Sequence, residues 1–295
     1  MSPAVSDHDE YFLDPRSVRR AFDRASARFD AFAGVHSEIR ARLLERLDVV
    51  KLQPAVVLDV GAGTGHSTRA LQDRYRSAQV VALDISTGML QQARKQQRFL
   101  RRFARIATDA QRLAIQSARA DLVFSNLMLQ WCAEPDQAFT EMARVLKPHG
   151  LLTFTALGPD TLRELRASRA GREFVRVHRF IDMHDLGDAL VRVGFAEPVM
   201  DTERLTITYR DVDSLLRELK GSGSANIAHG RARGLSGPQT FRDLRARYEL
   251  LRENAVLPVT LEVIYGHAWA GDPAARRRRG AGGVVNVPIG SIGRR

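Results

Sequence analysis

A glycine-rich turn between a predicted strand and a predicted helix is the segment of this sequence best suited to ligand chemistry. Residues 58–66 read Leu-Asp-Val-Gly-Ala-Gly-Thr-Gly-His, so a short apolar run leads into Gly61, Ala62 and Gly63. Glycines at such a turn let backbone amides approach a nucleotide closely. The dinucleotide fingerprint G-x-G-x-x-G is not met, because His66 stands where its third glycine would be. The turn therefore predicts a nucleoside site without a pyrophosphate.

Three aspartates stand at the ends of successive predicted strands. Asp59 precedes the turn, and its carboxylate can meet the amine of an amino-acid-bearing ligand, directly or through water. Asp84 ends the second strand, 23 residues after Gly61, where an acid can accept hydrogen bonds from both ribose hydroxyls. Asp109 ends the third strand and can accept from an adenine amino group, with the Ala110 amide beside it. Each acid alone could equally be a helix cap or a loop residue, but together with the turn they favour a nucleoside site.

Apolar runs alternate with amphipathic stretches around these residues. After Pro54 a continuous apolar run with β-branched residues predicts a strand that is buried on both faces. Strands alternating with helices over about a hundred residues predict an α/β fold, a Rossmann-like, doubly wound and mostly parallel sheet. The predicted strands cover 55–60, 79–85, 104–110, 121–129 and 150–157, and the predicted helices cover 88–99 and 135–146.

The flanking segments predict a helical start and a helical insertion. Apolar residues at helical spacing predict helices over 17–47, which form an amino-terminal helical lid within residues 1–50. We expect one domain over 51–270, with an insertion at about 211–256 near the last strands. Its later part has predicted helices at 185–195, 213–220 and 240–254, predicted strands at 204–210 and 259–269, and a glycine- and serine-rich loop at 221–239.

The net charge of +11 is unevenly distributed along the chain. Residues 271–295 hold six arginines against one aspartate and show no apolar period, which predicts a disordered basic tail. This tail carries +5, so the rest of the chain carries +6 and favours an acidic partner. We expect the tail to be a solvated end, and nucleic acid is not the expected partner.

Composition also argues against membrane, secreted and metal-dependent classes of protein. No window approaches 18 consecutive apolar residues, and residues 1–12 carry three acids without an apolar stretch, so we predict a cytoplasmic protein without a membrane partner. The single cysteine, Cys132, can form neither an internal disulfide nor a thiolate metal site. His178, His229 and His267 share no metal-ligand spacing, so no metal is predicted.

The turn and the three acids resemble the motifs of S-adenosylmethionine-dependent methyltransferases of the Rossmann-like class, over residues 57–157. The resemblance implies S-adenosylmethionine as the cofactor. The motif is specific to that superfamily and says little about the substrate. The cofactor-binding residues that it implies are Asp59, Gly61, Ala62, Gly63, Asp84, Asp109, Ala110 and Asn126.

Strings that flank this core resemble the malonyl-acyl carrier protein O-methyltransferases of the biotin pathway, over residues 17–270. Residues 21–30 read Ala-Phe-Asp-Arg-Ala-Ser-Ala-Arg-Phe-Asp, and Ser-Asn-Leu at 125–127 precedes Gln-Trp-Cys at 130–132. This resemblance implies esterification of the free malonyl carboxylate on an acyl carrier protein thioester. Further matching strings lie at 154–162, 178–180, 219–224 and 257–260, and the implied catalytic or substrate-contacting residues are Arg179, Gln130 and Trp131.

The chain departs from the pattern of that family at a few positions. Phe29 stands where the family usually has tyrosine, Leu257 and Leu261 replace its usual aromatic residues, and the basic tail has no counterpart. The resemblance implies that an acidic acyl carrier protein is a transient partner. A basic surface on the chain would attract this carrier and speed its association. The candidates for that surface are Arg40, Arg42, Arg46, Lys220, Arg231 and Arg233.

Three other functions stay open at this point. The first is another small-molecule carboxyl or oxygen methyltransferase with the same cofactor site. The second is a methyltransferase fold that acts as an assembly factor without transfer activity. The third is nucleic-acid binding through residues 271–295. Assays with malonyl thioesters against free acids and phenols separate the first from the malonyl reaction.

Overall fold

The computed structural model describes residues 13–168, 180–223 and 238–271, which form one seven-stranded sheet with helices packed on it. The strands are β1 (Val56–Val60), β2 (Gln79–Asp84), β3 (Ala104–Ala107), β4 (Ala120–Asn126), β5 (Leu146–Leu157), β6 (Phe195–Tyr209) and β7 (Leu257–Ala270). The helices are α1 (Pro15–Ala25), α2 (Gly34–Glu45), α3 (His66–Arg74), α4 (Thr87–Ala93), α5 (Pro135–Val145), α6 (Arg163–Ala167), α7 (Met183–Val193), α8 (Val212–Gly221) and α9 (Pro238–Glu249).

The sheet has the strand order β3-β2-β1-β4-β5-β7-β6. Strands β1 to β5 are parallel to their neighbours, whereas β7 runs antiparallel to both β5 and β6. The predicted α/β class with a mostly parallel sheet is therefore confirmed. The strand order reverses at β1, which lies between β2 and β4, and ligands bind at the carboxyl ends of the strands at such a point.

Apolar side chains on both faces explain why the central strands are buried. On one face Leu58 and Val123 pack with Phe139 of α5, and on the other Phe124 packs with Ile39 and its neighbours on α2. Burial of a side chain of this size stabilises the fold by about 1.5–3 kcal/mol. The second helix of the predicted lid thus also covers one face of the sheet.

The amino-terminal segment is not one continuous run of helix over 17–47. Asp14 caps α1 by accepting hydrogen bonds from the amides of Arg16 and Ser17, and α1 ends at Ala25. A short 3₁₀ turn over Phe29–Phe32 separates α1 from α2. This break lets α1 pack against α4 while α2 packs against β4 and β5.

The later strands are longer than their sequence patterns predict. β6 begins at Phe195, nine residues before the predicted start at 204, because its antiparallel pairing with β7 continues almost to the end of β7. Conversely, β3 ends at Ala107, so that Asp109 lies in the loop after the strand. A polar alternating edge strand gives a weak apolar signal, which is why the sequence shows only part of β6.

The helices between β6 and β7 pack with α6 and with the start of β7 in a small apolar cluster. Leu215 of α8, Leu244 and Tyr248 of α9, and Leu165 of α6 are buried together. This region coincides with the insertion predicted at about 211–256, of which residues 224–237 lie outside the described part. The predicted tail also lies outside it beyond Gly271, and the predicted division into domains stays a prediction.

Neither a membrane-crossing helix nor a metal cluster occurs in the described ranges. No helix there is long and apolar enough to cross a bilayer. No group of three or more histidine, cysteine, aspartate or glutamate side chains there could hold a metal ion, and the absence of a metal stays a prediction.

Candidate functional site

A cavity with about 800 Å³ of empty space, open to solvent, lies at the carboxyl ends of the parallel strands. Its floor is the turn after β1, and its sides are the loops after β2, β3 and β4. Side chains of the amino-terminal helices also line it. The lining includes Phe22, Phe29, His36, Gly61, Gly63, Asp84, Asp109, Ala110, Asn126, Met128, Trp131 and Cys132.

The two glycines of the turn that line the cavity have different packing. The backbone of Gly61 has φ +80°, and a Cβ there would lie 2.5 Å from Met128 Cγ, so Gly61 gives room to the loop after β4. Gly63 also has a positive φ, +54°, but a Cβ there would meet no atom within 4 Å. The amides of Gly61 and Ala62 both donate to the carbonyl of Leu83 and join the turn to β2. Gly63 is therefore the turn residue whose surroundings leave space for a ligand.

Asp84 is buried at the end of β2 and is joined directly to the turn. Its Oδ2 accepts from the amide of Gly63 at 2.8 Å, and its Oδ1 accepts from the amide of Ser86 at 2.8 Å. Burial raises the pKa of Asp84 to about 6, although these two amide hydrogen bonds lower it. Each carboxylate oxygen can accept more than one hydrogen bond, so both can still accept from a diol.

Asp59 is only 1% exposed and does not line the cavity. It accepts a hydrogen bond from Thr68 Oγ1 on α3. Burial and, to a smaller extent, the nearby Asp84 raise the pKa of Asp59 to about 7, although the hydrogen bond from Thr68 and the charge of Arg40 lower it. Of the two contacts predicted for Asp59, direct or through water, this placement favours the water-mediated one.

The predicted adenine and cofactor residues on the other walls do line the cavity. Asp109 Oδ1 accepts from the amide of Gln111 at 2.9 Å, which fixes the loop after β3 with Ala110 between them. Asn126, at the end of β4, accepts from Thr155 Oγ1 at 2.9 Å and donates to the carbonyl of His36 at 3.3 Å. Their roles as cofactor contacts stay predictions.

The loop after β4 contains the two predicted substrate residues that the structure describes. Trp131 lines the cavity, and its ring packs edge-to-face on Phe22 of α1, with ring centroids 5.1 Å apart. Gln130 is buried and does not line the cavity, and its side-chain amide donates to the carbonyl of Leu127 at 2.8 Å. This position suits Gln130 to holding the loop in place. Arg179 lies outside the described residues, and its role stays a prediction.

Lid residues that the sequence analysis did not single out attach the lid to the site. Asp23 of α1 accepts from Ser86 Oγ at 2.7 Å and from the amide of Gly88 at 2.9 Å, at the start of α4. Asp30 accepts from Thr64 Oγ1 of the glycine turn at 2.6 Å. These contacts join residues far apart in the sequence, and no local pattern indicates them.

The arginines predicted to attract an acidic partner are partly neutralised within the fold. Arg42 pairs with Glu203, and Arg46 pairs with Asp201 at 2.7 Å while it also stacks on the ring of Tyr265. Both side chains remain partly exposed, and their place in a basic surface stays a prediction. Arg40 is half-buried, Lys220 is exposed, and Arg231 and Arg233 lie outside the described residues.

Comparison with known proteins identifies the family. The model of a methyltransferase domain matches residues 58–154. The malonyl-[acyl-carrier protein] O-methyltransferase of Methylovorus sp. is 52% identical over 91% of this chain and 92% of its own length. The enzyme of the same name from Gallionella capsiferriformans is 44% identical over 95% of this chain and 98% of its own. The chain belongs to the malonyl-[acyl-carrier protein] O-methyltransferase family.

Membership of this family confirms the predictions of a methyltransferase and of S-adenosylmethionine as its cofactor. Similarity to a solved structure supports the fold. Phosphoethanolamine N-methyltransferase 2 of Haemonchus contortus, solved in complex with S-adenosyl-L-methionine, superposes with a TM-score of 0.52 at 19% identity, over 85% of this chain and 57% of that one.

The residues around the cavity fit S-adenosylmethionine. Gly63 leaves open space where a larger side chain would stand, and Asp84 has acceptor capacity for a ribose beside it. On the lid side, His36 Nδ1 is buried without a hydrogen-bond partner among the described residues. We propose that Gly63, Asp84 and Asp109 contact the nucleoside part of the cofactor.

Replacing Asp84 by alanine should weaken cofactor binding by about 1.5–3 kcal/mol, because a charged acceptor of two hydrogen bonds is lost. The change also removes the partner of the Gly63 amide. Isothermal titration calorimetry with S-adenosylhomocysteine measures the effect. Asp160→Ala, which breaks the surface pair with Arg204, is the control. An unchanged dissociation constant for Asp84→Ala would show that Asp84 does not bind the ribose.

Cofactor binding should weaken in mild acid, whereas the fold should not. Because the pKa of Asp84 is raised to about 6, lowering the pH from 7.5 to 5.5 protonates most of this carboxylate and should reduce affinity by about fourfold. Asp84 should raise the free energy of unfolding without ligand over that range, since the folded chain binds a proton at Asp84 that the unfolded chain, with a pKa near 3.8, does not. Asp59, with its pKa near 7, shifts stability in the same direction. His36 acts in the opposite direction, because its pKa of about 4 in the folded chain lies below its value of 6.5 in the unfolded chain.

Calorimetry and urea unfolding at the two pH values test this prediction. In Asp84→Asn the affinity should depend less on pH, because the titrating group is absent. Affinity that is constant with pH in the unaltered chain would contradict an ionised Asp84 as the acceptor.

Proposed function

We propose that this chain transfers a methyl group from S-adenosylmethionine to the free carboxylate of a malonyl thioester on acyl carrier protein. The product is a malonyl methyl ester, whose distal end carries no charge, so that fatty-acid synthesis can extend the chain at its thioester end towards the pimeloyl chain of biotin. The observation that carries the proposal is a single cavity that joins the Gly63 and Asp84 corner to Trp131 under the lid. The names of the relatives, malonyl-[acyl-carrier protein] O-methyltransferases, support the malonyl substrate.

The acceptor in this reaction needs no general base. A malonyl carboxyl group has an ordinary pKa far below 7, so it is already ionised and nucleophilic at neutral pH. When bound, S-adenosylmethionine supplies a methyl group on a positively charged sulfur that needs no further activation. The remaining tasks for the protein are to align the two reactants and to exclude water.

Particular residues suit these tasks. Gly63 and Asp84 would hold the nucleoside, and Asp109 would accept from the adenine. The paired rings of Phe22 and Trp131 form an apolar wall that keeps water from the transfer site. Arg179, by its place in the sequence, would hold the malonyl carboxylate with its guanidinium group.

The proposal also includes two further points. The acyl carrier protein is an acidic partner that binds only transiently, and the reaction takes place in the cytoplasm. Lys220 and Arg40 are candidates for the contact with the carrier. Raised salt should then slow the reaction of the carrier protein more than that of malonyl-coenzyme A, because screening weakens attraction between exposed charges.

Methyl transfer from labelled S-adenosylmethionine to a set of acceptors tests the substrate. Malonyl-acyl carrier protein, malonyl-coenzyme A, free malonate and a phenol are compared under the same conditions. We expect the thioesters to be methylated and the other two acceptors to stay unlabelled. If free acids or phenols were methylated in preference to the thioesters, the chain would be a different carboxyl or oxygen methyltransferase. If the chain bound the cofactor but methylated no acceptor, the result would favour an assembly factor.

A further inference from the structure

His36 is the polar side chain that α2 contributes to the cavity lining. It lies in the first turn of the helix, and its backbone carbonyl accepts from the side-chain amide of Asn126 at 3.3 Å. Its imidazole packs edge-on to the ring of Phe29, with ring centroids 5.2 Å apart. The position of His36 is therefore fixed from the strand side by Asn126 and from the lid side by Phe29.

The imidazole of His36 is uncharged at neutral pH. Burial lowers its pKa to about 4, and the positive charge of Arg40, one helical turn further on, lowers it as well. A neutral imidazole has one nitrogen that donates and one that accepts a hydrogen bond. His36 can thus donate to a ligand without bringing a full charge into the cavity.

The Nδ1 atom of His36 has no hydrogen-bond partner within residues 13–168, 180–223 and 238–271. A buried polar atom without a partner typically costs about 1–3 kcal/mol, so such atoms are rare in folded proteins unless a ligand or water completes them. The adjacent ring of Phe29 offers no polar atom. Because His36 also lines the cavity, a bound ligand is the natural partner for its imidazole.

The charges around His36 indicate the kind of ligand group. The cavity lining also includes Asp84 and Asp109, which suit the donors of a nucleoside. The guanidinium of Arg40 lies on the His36 side, where it donates to Ser37 Oγ at 3.0 Å. Its positive charge disfavours a cationic group and favours an anionic one beside the imidazole, although Asp59 and Asp30 partly offset it.

We propose that His36 is a ligand-binding residue that donates a hydrogen bond from its imidazole to a carboxylate at the lid side of the cavity. Two ligands carry such a carboxylate, the methionyl part of the cofactor and the malonyl group of the substrate. The second source rests on the proposed function, whereas the first does not.

Binding of two cofactor analogues distinguishes these sources. S-adenosylhomocysteine has the methionyl-derived carboxylate, and 5′-methylthioadenosine keeps the nucleoside and sulfur but lacks the amino-acid part. Calorimetry on the full chain compares them in the unaltered protein, in His36→Leu, in His36→Asn, and in the control His184→Leu at an exposed histidine on α7. Asparagine keeps a donor near the position of Nδ1, whereas leucine removes it.

If the carboxylate belongs to the cofactor, His36→Leu should weaken S-adenosylhomocysteine binding by about tenfold or more and leave 5′-methylthioadenosine unchanged. His36→Asn should recover most of that loss, and His184→Leu should bind both ligands normally. If the carboxylate belongs to the substrate, both analogues should bind His36→Leu normally, while its KM for malonyl thioester rises by about tenfold with kcat little changed.

Two results would overturn the assignment. The first is that His36→Leu affects neither S-adenosylhomocysteine affinity nor the KM for malonyl thioester. The second is an equal loss of both analogues that asparagine does not rescue, which means that His36 acts only through the shape of the cavity. If the unaltered chain binds S-adenosylhomocysteine but methylates no malonyl thioester, the proposed function fails while the cofactor comparison still decides the role of His36.

Discussion

The chain with Gly63→Val should fold and should lose measurable cofactor binding, a weakening of about a hundredfold or more. Gly63 has φ +54°, a conformation that a β-branched residue strongly resists, at a cost of about 1–3 kcal/mol. Its Cβ would project into open space in the cavity, where the larger valine side chain would occupy the position of the ligand. Calorimetry with S-adenosylhomocysteine measures the binding, and urea unfolding measures the fold.

Substitution of a second glycine separates the effect of backbone strain from the effect of a side chain that blocks the cavity. Gly194, at the end of α7, also has a positive φ, +92°, and does not line the cavity. Gly194→Val should therefore lose stability like Gly63→Val but bind the cofactor normally. If Gly63→Val binds with unchanged affinity, the turn is structural and the cofactor lies elsewhere.

Replacing Arg179 by alanine should lower kcat/KM for malonyl-acyl carrier protein by about a hundredfold or more. Loss of a charged hydrogen bond to a carboxylate costs about 1.5–3 kcal/mol, and an acceptor that is no longer aligned reacts more slowly still. The prediction rests on the resemblance of residues 178–180 to the family pattern. The affinity for S-adenosylhomocysteine should stay within about twofold, since the nucleoside corner uses other residues.

A surface arginine provides the comparison for Arg179. Arg192 on α7 forms an exposed pair with Asp136, and Arg192→Ala should leave kcat/KM almost unchanged. Arg179→Lys tests whether charge alone suffices, because lysine cannot make the two parallel hydrogen bonds of a guanidinium. If Arg179→Ala had a normal kcat/KM, another side chain would have to contact the malonyl carboxylate. His36 would then be the first candidate to test.

The nucleoside corner of the site was predictable because its signals are local. Gly63 lies in the turn that follows one apolar run and Asp84 lies at the end of another, runs typical of buried parallel strands, and the geometry of such sheets brings strand ends together. In the structure these two residues are in contact, through the Gly63 amide and Asp84 Oδ2. The position of Asp59 was less predictable, because the hydrogen bond from Thr68 that turns it away from the cavity depends on how α3 packs.

The lid side of the site was not predictable in the same way. The helical pattern over 17–47 indicates a lid but not which side chains reach the cavity. Asp23 meets Ser86 across 63 residues, and Arg42 meets Glu203 across 161, so no spacing within the sequence could reveal either pair. His36 looks like an ordinary polar residue of an amphipathic helix, and only its burial beside Phe29 makes it a candidate for binding.

Mass spectrometry of the carrier protein tests the central proposal most directly. Malonyl-acyl carrier protein is incubated with the enzyme and S-adenosylmethionine, and the carrier is then analysed intact and as the released acyl group. The proposed function predicts a gain of one methyl group on the malonyl moiety, which Gly63→Val does not produce. The released acyl group should be a malonate monomethyl ester, which alkaline hydrolysis converts to malonate. Cofactor binding by the unaltered chain with no methyl gain on any malonyl thioester would contradict the proposed function.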